Sequence, residues 1–150
     1  MKKPFITDHD IYLFNEGTHN QLYDRLGAHV VQRGRESGTH FGVWAPNAEA
    51  VSVFGEFNEW VPGDVALAPL GNSGIWTGFV PGVSAGTTYK YHIVSRNHGY
   101  RVEKTDPFAF RQEVPPRTAS IVTSLDYEWG DERWMRQRCD AEPLEARIMV

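Results

Sequence analysis

Two residues of this 150-residue chain have the type and setting to hold a neutral, hydroxyl-rich ligand: Trp60 and Lys90. Trp60 closes the stretch Phe54-Gly55-Glu56-Phe57-Asn58-Glu59-Trp60, where an alternating apolar run stops and Pro62-Gly63 follows, so it is expected on a loop. Lys90 stands between Tyr89 and Tyr91 in a run whose alternation sends Tyr89, Tyr91 and Ile93 to one face and Lys90, His92 and Val94 to the other. An indole can cover the apolar C–H face of a pyranose while an ammonium donates to its hydroxyls. Tyr100, just after the turn Asn97-His98-Gly99, is a third candidate. Each also has a plain structural reading, with Trp60 as a core residue and Lys90 as a solvated strand residue.

Other chemistries find no support. Glu56, Glu59 and Asp64 gather at a turn, as acids do for solubility, whereas sugar hydrolysis needs two carboxylates set across a cleft. The six histidines form no HExxH or similar ligand spacing, and His9, His19 and His29 recur at an interval matching neither helix nor strand, so they are read as surface or capping residues. With Cys139 alone there is no internal disulfide and no cysteine metal cage. Phosphate loop, nucleophile elbow and dinucleotide fingerprint are absent. The expectation is a chain without catalytic residue, metal or cofactor. A net charge of -4 with mixed signs argues against nucleic acid or an anionic membrane as partner. The N-terminal MKKPFITDHDIYLF meets acids before any apolar region, unlike a secretory signal, and no run reaches the ~18 apolar residues of a membrane span, so a cytoplasmic location is expected.

The elements that must position these residues read as strands. Five Trp, six Tyr and eight Phe suit pleated, half-buried surfaces. Strands are expected at 39–45, 50–57, 65–69, 74–80, 87–95, 100–102 and 119–122, with turn signals every eight to twelve residues, the mark of an all-β sandwich or barrel. Ahead of them, Thr7-Asp8-His9-Asp10 caps a short helix that ends near Gly17, and Leu22, Tyr23 and Leu26 suggest a second stopped by Gly27. Gln32 to Gly38 is polar and glycine-flanked and reads as a linker. Trp44 and Trp76 alternate with apolar neighbours and are expected in the core. After 126, Asp131 to Arg136 begins with acids and ends with bases like a capped helix, and Arg147 to Val150 reads as the opening of a strand in a further domain.

Several stretches together carry a resemblance: Gly38 to Ala48 with its Val43-Trp44-Ala45-Pro46-Asn47, Val51 to Trp60, Gly74-Ile75-Trp76, Tyr89-Lys90-Tyr91 and Lys104-Thr105-Asp106-Pro107-Phe108. Their order and spacing resemble the family-48 carbohydrate-binding module that precedes the catalytic barrel of starch- and glycogen-active enzymes. The flanks, Leu13 to His19, Leu22 to His29, Arg117 to Val122 and Trp129 to Arg138, resemble the 1,4-α-glucan (glycogen) branching enzymes of glycoside hydrolase family 13. The resemblance implies an immunoglobulin-like β-sandwich over 38–126, a helical extension and linker over 1–37, and over 127–150 a linker helix leading into a catalytic barrel beyond Val150. It implies an α-1,4-glucan partner contacted by Trp60, Lys90 and Tyr100, with the catalytic carboxylates of the branching reaction in that barrel. The competing expectation is a stand-alone glycogen-targeting module, which continuation past Val150 would distinguish.

Overall fold

The computed structural model describes residues 4–126 and 128–140. Two antiparallel sheets face each other. The first orders its strands β1 (Gly27–Arg33), β2 (Glu36–Trp44), β6 (Ile75–Pro81) and β5 (Ala68–Pro69). The second runs β4 (Val65–Ala66), β3 (Ala48–Gly55), β7 (Thr88–Ser95), β10 (Ser120–Ile121) and β9 (Arg111–Gln112), with β8 (Arg101–Lys104) also paired to β7. The chain changes sheet at Leu67, which is buried between β4 and β5 and donates its N–H to the Val51 carbonyl at 2.8 Å. Inward residues fill the space between the sheets: Phe41 and Val43 from β2, Val51 and Val53 from β3, Trp76 from β6, and Tyr89 and Tyr91 from β7.

A charged group sits in that core: Asp106, which is 0% exposed. Its Oδ2 accepts from the Tyr89 hydroxyl at 2.7 Å and the Tyr91 hydroxyl at 3.1 Å, and its Oδ1 from the Phe108 N–H at 2.8 Å, while its own N–H donates to Ser120 Oγ at 2.9 Å. Burial raises the Asp106 pKa above the ordinary carboxylate value, against the pull of the donated hydrogen bonds. Burial, with the adjacent carboxylate, also pushes both tyrosines well up, so they remain protonated donors.

The N-terminal segment covers the outer side of the first sheet. Helix α1 (Asp8–Glu16) starts in a reciprocal cap, Thr7 Oγ1 accepting from the Asp10 N–H and Asp10 Oδ2 from the Thr7 N–H, and ends at Gly17 with φ 74°. Asp10 Oδ1 also takes Arg25 Nε at 3.0 Å and His19 Nε2 at 3.1 Å. Burial pushes this carboxyl up, but the bonds from Thr7, Arg25 and His19 together hold it below the usual carboxylate range. Beneath the helix Ile6, Leu26 and Ile75 form a second apolar cluster with Phe5, Phe14 and Phe108.

Several expectations change. The residues read as a linker, 32–38, are the β1–β2 hairpin, with Arg33 paired to Glu36 and Gly38 to Val31. Edge strand β1 has an exposed Val30 and too little alternation to stand out. Gly38 is required there because a Cβ would meet the Val80 carbonyl. The expected second helix is one 3-10 turn, Leu22–Asp24. The 65–69 strand is two short strands in different sheets. Trp44 is 53% exposed because β2 alternation sends Phe41 and Val43 inward and Trp44 outward, against Phe14. Trp76 is buried as expected and donates its indole N–H to the Ala45 carbonyl at 3.1 Å. His19 is not a surface residue, since its side chain is 7% exposed on Asp10. The tail helix α2 spans Glu132–Asp140, and the expected strand at 147–150 lies outside the described residues.

His40, unnoticed in the sequence, is buried on the outer side of β2 beneath Phe5, ring centroids 4.2 Å apart. Its Nε2 lies 2.6 Å from Thr77 Oγ1, whose hydroxyl reaches the Phe41 carbonyl at 3.0 Å. Because the single Thr77 proton goes to Phe41, Nε2 carries the donor, and the buried Nδ1, partnerless among the described residues, stays bare. Burial, with the nearby charges of Arg33 and His29, holds the imidazole down from the ordinary 6.5 to about 3.

Two outcomes follow from these buried groups. Asp106→Ala removes the acceptor of two core hydroxyls and is expected to cost about 3 kcal/mol or more of unfolding free energy in urea, part of which Tyr89→Phe and Tyr91→Phe restore in the same background. A loss below about 1 kcal/mol would show that the core does not need the carboxylate. For His40 the unfolded chain takes the proton first, so its contribution is complete above pH 6.5 and is lost as pH falls toward about 3. His40→Phe is expected to flatten the fall in urea midpoint between about pH 6.5 and 5, where each pH unit is worth up to about 1.4 kcal/mol. An unchanged slope would remove His40 from the acid response.

Candidate functional site

Strand β3 ends at Gly55, which lies so close to β7 that a Cβ would meet the Thr88 carbonyl. The chain then makes one 3-10 turn, Glu56–Asn58, followed by two residues in the left-handed region, Glu59 at φ 54° and Trp60 at φ 61°. Neither is glycine, and such a conformation costs roughly 1–2 kcal/mol per residue. Asn58 holds the corner shut from both sides: its Oδ1 accepts from the Gly55 N–H at 2.9 Å and its Nδ2 donates to the Val61 carbonyl at 2.7 Å. The Trp60 N–H closes the turn onto the Gly55 carbonyl at 2.9 Å. Further on, the Gly63 N–H donates to Ser52 Oγ at 3.0 Å and lays the loop back on the sheet.

That geometry sets Trp60 on the outer face of the second sheet. Its ring stands at 82° to Phe54, centroids 5.7 Å apart. Phe54 thereby becomes buried even though it points away from the core, while Trp60 keeps 38% of its surface exposed. In register, Phe54 pairs with Lys90, so Lys90 projects from the same face beside the aromatic pair. Lys90 is half-buried, and among the described residues its ammonium makes no hydrogen bond or ion pair. Trp60 and Lys90 therefore share one end of one face.

Tyr100 does not join them. It is 65% exposed at the tip of the β7–β8 hairpin, with its carbonyl accepting from the Ser95 N–H. The register Val94 to Arg101 and Tyr91 to Lys104 sets that tip beyond Val94, roughly 13 Å of strand or more from Lys90. The same face carries His92, opposite Ser52 and Glu103, and Arg101, opposite Val94. The alternation that isolated Lys90 already contained His92, but the hairpin register that brings up Arg101 is not visible in the local pattern. Among the described residues no His, Cys, Asp or Glu cluster could hold a metal ion, and no helix is long and apolar enough to cross a membrane.

Two antiparallel sheets with a stapled aromatic corner on one outer face define an immunoglobulin-like β-sandwich module. Residues 25–109 match the model of carbohydrate-binding module 48 (isoamylase N-terminal domain), and the chain belongs to that family. It is 48% identical over 150 residues to the 1,4-alpha-glucan branching enzyme GlgB of Thermosynechococcus vestitus, covering 99% of this chain and 19% of that relative. With the corresponding enzyme of Albidiferax ferrireducens the identity is 49% over 146 residues, covering 96% and 23%. The chain thus spans about a fifth of the length of the curated relatives it matches, in their N-terminal region. Among solved structures, ligand-free PulA from Klebsiella pneumoniae superposes with a TM-score of 0.55 at 23% identity, over 69% of this chain and 10% of that one. A putative alpha amylase from Salmonella typhimurium gives 0.55 at 23%, over 73% and 16%. At these identities the two structures speak for the fold.

The corner itself is testable. Asn58→Ala frees the Gly55 N–H and the Val61 carbonyl and is expected to cost about 1–2 kcal/mol in a urea titration, with a red shift of Trp60 emission as the indole leaves Phe54. A variant with unchanged stability and emission would show that the corner holds without the asparagine.

Proposed function

We infer that this chain is the glucan-binding, barrel-supporting N-terminal region of a 1,4-α-glucan branching enzyme, which moves α-1,4-linked segments onto 6-hydroxyls to form α-1,6 branches. The match to branching enzymes over nearly the whole chain supports the parent activity. The catalytic carboxylates of that reaction belong to the barrel and not to this chain, which by itself is expected to bind glucan without branching it. Its workplace is the cytoplasm, with no nucleic acid or membrane among its partners.

Trp60 and Lys90 make the contact. The observation that carries this reading is a half-exposed tryptophan held in a left-handed backbone conformation, since strain of this kind gathers where a side chain must be presented. The indole lies against the C–H face of a glucosyl ring, and the lysine ammonium, unpaired among the described residues, donates to the hydroxyls at its edge. No step in this chemistry needs a cofactor or a metal. Tyr100, lying farther along the face, is a contact only for a chain long enough to reach it.

Stacking and its buried area amount to about 1–2 kcal/mol, so Trp60→Ala is expected to weaken maltoheptaose binding about 5- to 30-fold in calorimetric titration. Wild-type affinity in that variant would sink the stacking role.

A further inference from the structure

The outer face of the second sheet carries a groove beside the loop that follows Trp60, lined by Pro62 and Gly63 of that loop. It encloses about 270 Å³. Ser52 and Ala66 form its floor with His92 and Val94, the loop at Gly63 walls one side, and Arg101 of β8 closes the other. The short side chains of Ser52 and Ala66 leave the hollow, and the Gly63 N–H bond to Ser52 Oγ fixes its wall. His92 is half-buried and Arg101 exposed, and among the described residues neither makes a side-chain hydrogen bond or ion pair, although Glu103 lies directly across from His92. Along β7, Val94 in the groove lies roughly 13 Å from Lys90 beside the Trp60 pair.

A floor of small and apolar groups, Ala66, Val94 and Ser52, with His92 and Arg101 as unused donors, suits a polymer of rings whose faces are C–H and whose rims are hydroxyls. It suits an anion less, because Glu103 stands beside His92 and Arg101. The groove lies on the same face as Trp60 and is walled by Pro62 and Gly63 of the same loop, and the β7–β8 hairpin is what brings Arg101 to it. We propose that this groove is a second subsite for the same α-1,4-glucan chain and makes the module select long chains over short ones. The proposal rests on the Trp60 reading above. A disaccharide covers one end only, whereas a heptasaccharide engages both, and its second contact forms at the high effective concentration that the first one creates.

The test is a calorimetric titration of the chain with maltose and with maltoheptaose, in wild type, Arg101→Ala, Arg101→Gln and Trp60→Ala. Arg101 is exposed, so its truncation leaves the core intact, and thermal midpoints check that the variants fold. In wild type, maltoheptaose is expected to bind at least tenfold more tightly than maltose, and in both Arg101 variants that ratio is expected to fall to about threefold or less. A wild-type ratio retained in both Arg101 variants overturns the second subsite and leaves the Trp60 reading standing. Unchanged affinities in Trp60→Ala, with the ratio still lost on changing Arg101, overturn the Trp60 reading and leave the groove. Absence of binding by the wild-type chain to either sugar overturns both.

Discussion

The buried carboxylate of Asp106 is the constraint from which the rest of the molecule follows. It collects the hydroxyls of Tyr89 and Tyr91, two residues apart on β7, and so commits both rings to the interior. A strand has a period of two, so a slip of one residue would turn every side chain to the opposite face. With Tyr89 and Tyr91 fixed inward, Lys90 and His92 have no choice but the outer face. A buried carboxylate is costly unless its acceptors are filled, and here both oxygens are in use. The clamp thus gives the face that carries Trp60 and Lys90 its orientation from inside the core.

The sandwich has two outer faces, and the chain spends its N-terminal residues on one of them. Phe5, Ile6, Phe14 and Leu26 cover the first sheet around Ile75 and His40, and the Asp10 carboxylate ties that cover to Arg25 and His19. On the second sheet the covering is different in kind. Phe54 points outward with the Trp60 indole set against it, and that indole stays partly open. The corner achieves this against backbone preference, with two consecutive left-handed residues held by one asparagine that bonds both ahead and behind. Presentation of Trp60 and shielding of Phe54 are therefore one event.

Much of this was legible in the residues. Alternation separated Tyr89, Tyr91 and Ile93 from Lys90, His92 and Val94 on β7, the cap at Thr7 and the stop at Gly17 marked α1, and the Asn58 to Gly63 turn signals put Trp60 on a loop. What failed did so for identifiable reasons. The β1–β2 hairpin looked like a linker because an edge strand with one face exposed needs few apolar residues. Trp44 looked like core because alternation tells that two faces exist without telling which is inside. His40 gave no signal, since its burial depends on Phe5, thirty-five residues away.

For the corner, the sequence by itself determined a strand running into it, expected to 57 where the structure ends it at Gly55, the turn after it, the tryptophan on that turn and the lysine set apart from its tyrosines. Those features are local, fixed by period and by turn chemistry over a few residues. Only the tertiary structure decided that Phe54 and Lys90 are cross-strand neighbours, so that Trp60 and Lys90 share one end of a face while Tyr100 stands at the other. Register between strands some thirty-five residues apart is set by which side chains the core accepts, and here that is settled by the tyrosines on Asp106. No local pattern contains that information.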